Sequence, residues 1–590
     1  MPPGSPAASL LQSAFAVAVA AFAWPACARA TGEPAAAQET GALTLETGLP
    51  RTPEQAAVVF EKADLAFRVD PERRALAGDA RLTFRATAPV ERLVVDLDRV
   101  FRIEAVEVDG RAVAPGAWRN PDGRMRVELP RPLAAGARAT LRIRYAGIPH
   151  VAKKAPWDGG FVWDEAPDGS PWIATAVQGE GCDLFWPCID HPMGEPEEVV
   201  QHVTVPAPLV AAGNGVPAGM DERDGWRTYH WRARQPDTYA IALNIGPYEL
   251  LEADYRSRYG NTIPLRFWYL EGNRAKAEGL FAEFPKMLDF FEEKIGPYPF
   301  GDEKMGVVET PHLGMEHQTI NAYGNDYRKD ENGYDWLLQH ELSHEWFGNQ
   351  LTNTDWSGMW LHEGFGSYMQ PLYLQWLRGD MEYMAALMKQ RATLSNKAPI
   401  APPGPMTEDQ VYDGERGPGL DIYYKGSLVL HTLRGLIGDE AFFAAIRRLV
   451  YGTDDPRPGG FAPRYGTTGD FTDAIAHFTG RDYGWFFDVY LRSAALPDLQ
   501  AVREDGRLRL RWKTEGDRPF PMPVEVRVGD RVVRLPMRDG RGEVRIRDDQ
   551  SYTLDPHSKV LRELPHIAAF QADKKAREAA GKSNERRPGQ

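Results

Sequence analysis

WLLQHELSHEWFGN, residues 336–349, sets His340, Glu341 and His344 in the pattern His-Glu-x-x-His. On a helix, residues four apart share one face, so both imidazoles reach one metal ion while Glu341 stands beside it as a general base. A catalytic zinc centre takes three protein ligands and leaves a position for water. The third ligand is expected from WLHEGFGSY, residues 360–368, where Glu363 follows His344 after 18 intervening residues. A helix, a turn and a returning helix would carry that carboxylate back to the histidines. Two surface histidines could fall at this spacing by accident. The ordered company of the flanking motifs argues against that.

Working outward, the helical region begins after about residue 272 with AKAEGLFAEFPKMLDFFEEKIG. Amphipathic stretches continue near 333–348, 358–377, 381–394 and 424–450. Before it, LAFRV (65–69), RLTFRA (81–86) and TLRIRY (140–145) alternate apolar with polar residues, and Asp109-Gly110 marks a turn. These features predict a large antiparallel β domain. After Leu496-Pro497 come the short strands LRLRW, VEVRV and RVVRL, expected to form a small β-sandwich. The resulting fold class is multidomain α+β. The expected divisions are 1–30 signal peptide, 31–50 flexible linker, 51–252 N-terminal β domain, 253–495 catalytic domain, 496–565 C-terminal β-sandwich and 566–590 disordered tail.

Composition narrows the function classes. The 590 residues are 43% hydrophobic and 26% charged, with a formal net charge of −14. An acidic surface without a basic stripe argues against a nucleic-acid partner. The longest apolar run, Ala14 to Trp24, is too short to span a bilayer, so no permanent membrane span is expected. That run, followed by Ala28-Arg29-Ala30, reads as an export signal, placing the mature chain in a periplasm or outside the cell. A lipid anchor at Cys27 is disfavoured by the preceding Trp24-Pro25-Ala26. Cys182 and Cys188 would then remain, either as a disulfide or as two buried thiols.

Three motifs in order at compatible spacing resemble the zinc aminopeptidases that include aminopeptidase N and the leukotriene hydrolase, the gluzincin metallopeptidases. The resemblance spans about residues 56–495. It implies a thermolysin-like, mainly helical catalytic domain holding one zinc ion on His340, His344 and Glu363. His312-Leu313-Gly314-Met315-Glu316-His317 looks like the family's Gly-Ala-Met-Glu-Asn motif, in which Glu316 would hold the substrate's α-amino group and Gly314 and Met315 would border it. Leu313 and His317 depart from the pattern. Gln178-Gly179-Glu180 resembles the family's Gln-x-Glu, which implies that Gln178 and Glu180 also reach the amine. Tyr423-Tyr424-Lys425-Gly426 resembles Tyr-x-Lys-Gly, which makes Tyr423 the oxyanion partner, with Tyr424 as the competing candidate.

The implied activity is removal of N-terminal residues from peptides with a free amine. The alternatives are a thermolysin-like endopeptidase, which has no need of Glu316 or Glu180, and a catalytically silent peptide-binding scaffold. Epoxide hydrolysis is disfavoured because the tyrosine five residues before Tyr-x-Lys-Gly is Pro418 here. The short C-terminal module leads to the expectation of a cleft open on that side. Composition carries no information on oligomeric state.

Overall fold

Alternation from Val58 to Asp70 buries Phe60, Ala63, Leu65, Phe67 and Val69 on one face of a long strand. The computed structural model, which describes residues 39–579, sets this strand inside an eight-stranded sheet. On one side it pairs antiparallel with Ala75–Ala86, in the register Val69↔Leu76 to Val58↔Ala86. On the other it runs parallel to Glu198–Pro206, with Lys62 opposite Glu198. This parallel pair is an exception within a sheet whose other pairs are antiparallel, as expected. Alternation reports which face of a strand is buried, not the direction of its neighbour. Asp109 and Gly110 both take positive φ, 51° and 73°, in the expected turn between Arg102–Val108 and Arg111–Ala112.

Two smaller sheets complete the β region. One of them carries Pro171–Ala176, whose end feeds directly into Val177 and Gln178. Cys182 and Cys188, just beyond, are joined by a disulfide. The pairing left open by the sequence is thus made.

A five-stranded sheet then underlies the helices, in the order Tyr248–Arg256, Thr262–Leu270, Met305–Glu309, Asn321–Tyr323, Gly314–Met315. The expected boundary at 252 falls within its first strand, which pairs with Thr262–Leu270 along its length. Among the described residues Gly314–Met315 is the outer strand, paired with Asn321–Tyr323 alone. The helical region follows the periodicity, but the first run is two helices, Arg274–Phe281 and Phe284–Lys294, and the 333–348 run is α-helical only over Trp336–Ser343. The 424–450 run is also two helices, Asp421–Ile437 and Asp439–Tyr451, separated by Gly438 at φ 86°.

The C-terminal strands form two three-stranded sheets that bury Leu508, Leu510, Trp512, Val524 and Val526. The segment after them is tied to the helices, with Leu561 N donating to Thr432 Oγ1 at 2.9 Å and Tyr490 Oη donating to Leu561 O at 2.6 Å. The tail expected to be disordered from 566 instead forms most of the helix Pro565–Ala579, and Gln571 Nε2 donates to Leu394 O at 2.9 Å. Residues 39–50, expected to be a flexible linker, are docked. Thr47 Oγ1 donates to Asp190 Oδ1 at 2.9 Å, and Gly48 lies against the Trp356 indole. Gly41 and Gly48 let this segment approach Asp122 O and the Trp356 indole more closely than a Cβ would allow, a use that composition does not distinguish from flexibility. The expected signal, 1–30, and the end of the tail lie outside the described residues. Among the described residues no helix is long and apolar enough to cross a membrane.

Candidate active site

Helix Trp336–Ser343 is capped by Asp335, whose Oδ1 accepts from Leu338 N at 3.0 Å. His340 and Glu341 lie in its last turn, and His344 closes it. The chain then bends at Phe347 (φ −114°, ψ 72°), which returns the Phe347 carbonyl to His344 Nδ1 at 2.9 Å. A carbonyl only accepts, so Nδ1 carries the proton and Nε2 presents its lone pair. Glu345, the next residue, pins the helix to the sheet by accepting from Thr319 N at 2.8 Å and Asn321 Nδ2 at 2.9 Å.

Glu363 enters from the first turn of helix Trp360–Arg378. Its Oε2 lies 3.6 Å from both His340 Nε2 and His344 Nε2, which are 3.3 Å from each other. Tetrahedral zinc with ligand bonds of about 2.0–2.1 Å separates its ligands by about 3.3–3.4 Å. Glu363 Oε2 is buried with no hydrogen-bond partner, and burial pushes the carboxyl up to about 7. Two imidazoles and an orphaned carboxylate at these separations fit a divalent ion.

Glycines allow this closeness. A Cβ on Gly426 would lie 2.7 Å from Gly364 Cα, and one on Gly366 would lie 3.2 Å from His344 Cε1. The crossing at Gly364 and Gly426 brings Glu363 and Tyr423 together. Lys425 between them is buried and donates through Nζ to Ser493 O at 3.0 Å and Ala494 O at 2.7 Å. The Tyr-x-Lys-Gly motif thus reads as a cavity-facing hydroxyl, a tether and a contact point. Gly426→Ala is expected to destabilise by about 1–3 kcal/mol, because backbone must move. Gly435→Ala on the same helix, whose Cβ would come no nearer than 3.6 Å to Lys559, an ordinary contact, is expected to cost nothing. Denaturant unfolding of both variants checks this.

A cavity of about 580 Å³ opens over the metal ligands, lined among others by Gln178, Gly314, Met315, Glu316, Glu341 and Tyr423. Tyr424 lines a neighbouring cavity instead, which separates the two tyrosine candidates. Glu316 Oε1 accepts from Gln178 Nε2 and from Tyr239 Oη, both at 2.7 Å. Glu316, Glu341 and His344 offer ligand atoms within 4.8 Å of one another. Burial, reinforced by Glu316 and Glu363, holds Glu341 well above the usual carboxylate range.

Glu180 is not brought to Glu316. Its carboxylate accepts from Gly159 N and is absent from the cavity lining, and burial beside Asp158 and Asp409 pushes it up to about 7. Tyr239 and Tyr412 were not singled out by sequence reasoning. Tyr412 Oη lies 3.3 Å from Tyr423 Oη and 3.5 Å from Glu363 Oε1. Its only local signal was its place in the Pro- and Gly-rich stretch before the tyrosine helix.

Residues 283–490, which hold this whole metal centre, match the Peptidase family M1 domain. The chain carries a peptidase family M1 domain. A mutant of the M1 zinc metallopeptidase from Deinococcus radiodurans, solved with a Tyr-Ser-Ala substrate, is similar at 28% identity and a TM-score of 0.65, over 77% of this chain and 98% of that one. Aminopeptidase 2, mitochondrial, from Saccharomyces cerevisiae is 24% identical over 58% of this chain and 36% of its own length. Aminopeptidase B from Rattus norvegicus is 28% identical over 54% of this chain and 48% of its own length. This chain therefore spans less than half the length of these curated relatives. Its sheets and helices follow the M1 arrangement of a β region before a helical catalytic region, with C-terminal β sheets after it.

Proposed function

We propose that this chain is a zinc-dependent aminopeptidase that removes the first residue from peptides with a free N-terminus. The observation carrying this reading is the placement of the Glu316 carboxylate, within 4.8 Å of ligand atoms of Glu341 and His344. A carboxylate at that distance leaves room for little more than an α-ammonium group between it and the reacting carbonyl. An internal peptide would bury Glu316 against an amide with no charge to meet it.

The roles of the residues follow. Gln178 and Tyr239 donate to Glu316 and hold its carboxylate in the orientation that receives the ammonium. Among the described residues Gly314–Met315 has an unpaired edge, so an extended peptide can bond along it as an added strand. Zinc on His340, His344 and Glu363 supplies, when bound, a lowered pKa for water and polarisation of the substrate carbonyl. Glu341 takes the proton from the attacking water and returns it to the departing amine. Tyr423 donates to the carbonyl oxygen as charge develops there.

Export is proposed for the mature chain, supported by the disulfide, since such bonds persist in oxidising compartments. Metal analysis of the purified protein tests the metal assignment. One zinc per chain is expected, and Glu363→Ala is expected to hold less than about a tenth of that at equal free zinc. Equal zinc content in both would remove Glu363 from the ligand set.

A further inference from the structure

The segment 39–50, which carries none of the chemistry above, is fixed along its length. Arg99 Nε donates to Glu39 O at 2.8 Å, Gly41 N to Asp98 Oδ1 at 3.2 Å, and Thr47 Oγ1 to Asp190 Oδ1 at 2.9 Å. Thr44 and Thr47 are buried. This anchoring delivers Gly48, at φ 81°, to the indole of Trp356. A Cβ there would lie 2.0 Å from Trp356 Cδ1 and 2.3 Å from Nε1, so backbone and ring are in direct contact and only glycine fits.

The indole passes that contact on. Asp355 caps the short helix Trp356–Gly358 and accepts through Oδ1 from Ser357 N at 2.9 Å and Met406 N at 3.0 Å, which fixes its backbone. The ring itself is held by packing, since among the described residues Trp356 Nε1 is buried without a hydrogen-bond partner. Tyr239 packs against it, with ring centroids 6.1 Å apart, and donates through Oη to Glu316 Oε1 at 2.7 Å. The Glu316 backbone is held separately, its carbonyl accepting from Asn349 Nδ2 at 3.1 Å. Gln178 and Tyr239 therefore set the rotation of the carboxylate, and both do so through Oε1. Oε2 is left for the substrate ammonium.

We propose that Gly48 and Trp356 are positioning residues for the substrate's α-amino group, seating Tyr239 so that Glu316 keeps the rotation that receives an ammonium. This rests on the aminopeptidase reading and adds to it two residues that do not line the metal cavity. A charge-assisted hydrogen bond depends on direction, so a small turn of the carboxylate weakens capture of the amine. The zinc ligands stand on other helices and are spared.

The test is inhibition of the zinc-loaded protein by leucine hydroxamate and by its desamino counterpart, 4-methylpentanohydroxamate. Both carry the same metal-binding group and side chain, and only the first has an α-amino group. The unaltered protein is expected to prefer leucine hydroxamate by about thirtyfold. Gly48→Ala and Trp356→Phe are expected to cut that preference to about threefold, with zinc content unchanged and affinity for the desamino compound within about twofold of the original. On Leu-Ala-Ala the loss is expected in KM rather than kcat. Thr47→Val, which keeps the shape and loses the anchor to Asp190, is expected to act in the same direction and less. An unchanged preference in Gly48→Ala and Trp356→Phe overturns the proposal, as does equal weakening of both hydroxamates, the mark of general loosening. Should Gly48→Ala fail to fold, Trp356→Phe and Thr47→Val decide by the same ratio. Equal binding of the two hydroxamates by the unaltered protein would overturn the amine-holding role of Glu316 instead.

Discussion

Glutamine in place of Glu341 is expected to lower kcat by about a thousand- to ten-thousandfold while zinc content stays at one ion per chain. The side chain is 6% exposed and lies under the edge strand, where a Cβ on Gly314 would come within 2.5 Å of Glu341 Oε1. Glutamine has the same shape and fills that space, so packing is preserved. It cannot accept the proton of an attacking water, so the step that makes the nucleophile is lost. His344 keeps its tautomer, since the bond from His344 Nδ1 to the Phe347 carbonyl does not involve residue 341. Unchanged kcat in a zinc-replete Glu341→Gln protein would mean that another group takes the proton. A loss of zinc would mean that Glu341 acts through the metal site instead.

Tyr423→Phe is expected to lower kcat about a hundred- to thousandfold with little change in KM. The hydroxyl faces the metal cavity from the start of its helix, and burial keeps it protonated by pushing it well above the ordinary phenol range. A donor aimed where charge develops acts on the transition state and hardly on the bound substrate, which is why the effect falls on kcat. Tyr412→Phe provides the comparison. Its hydroxyl touches Tyr423 and Glu363, so it orients rather than donates to the substrate, and its loss is expected to be smaller. If Tyr412→Phe were the more damaging of the two, the oxyanion role would pass to Tyr412.

Much of this site was legible because its chemistry is local. His340, Glu341 and His344 lie within one helical turn, and the spacing to Glu363 is that of a helix, a bend and a return. Tyr423 was separable from Tyr424 by the position of Lys425 and Gly426, and the structure gives that register a cause in the contact between Gly426 and Gly364. What escaped was long-range. Tyr239 meets Glu316 across 77 residues, and no periodicity encodes such a meeting. Glu180 sits in the expected segment, yet its carboxylate is drawn to the Gly159 amide, a partner that residue spacing cannot reveal.

The fold divides in the same way. Alternation located the strands Val58–Asp70, Ala75–Ala86 and Arg138–Gly147, because burial of one face is written every second residue. The parallel partner Glu198–Pro206 lies more than a hundred residues away in the chain, and its direction depends on everything between. The helix Pro565–Ala579 was missed because its few large apolar residues were weighed above its helix-favouring alanine, lysine and glutamate.

The most direct measurement is mass analysis of the products from one peptide offered in two forms, free and N-acetylated. The account predicts stepwise loss of single residues from the free form, none from the acetylated form, and no products from either after chelation. Internal cleavage of both forms at comparable rates would contradict it, because a site closed by Glu316 has no place for a blocked amine.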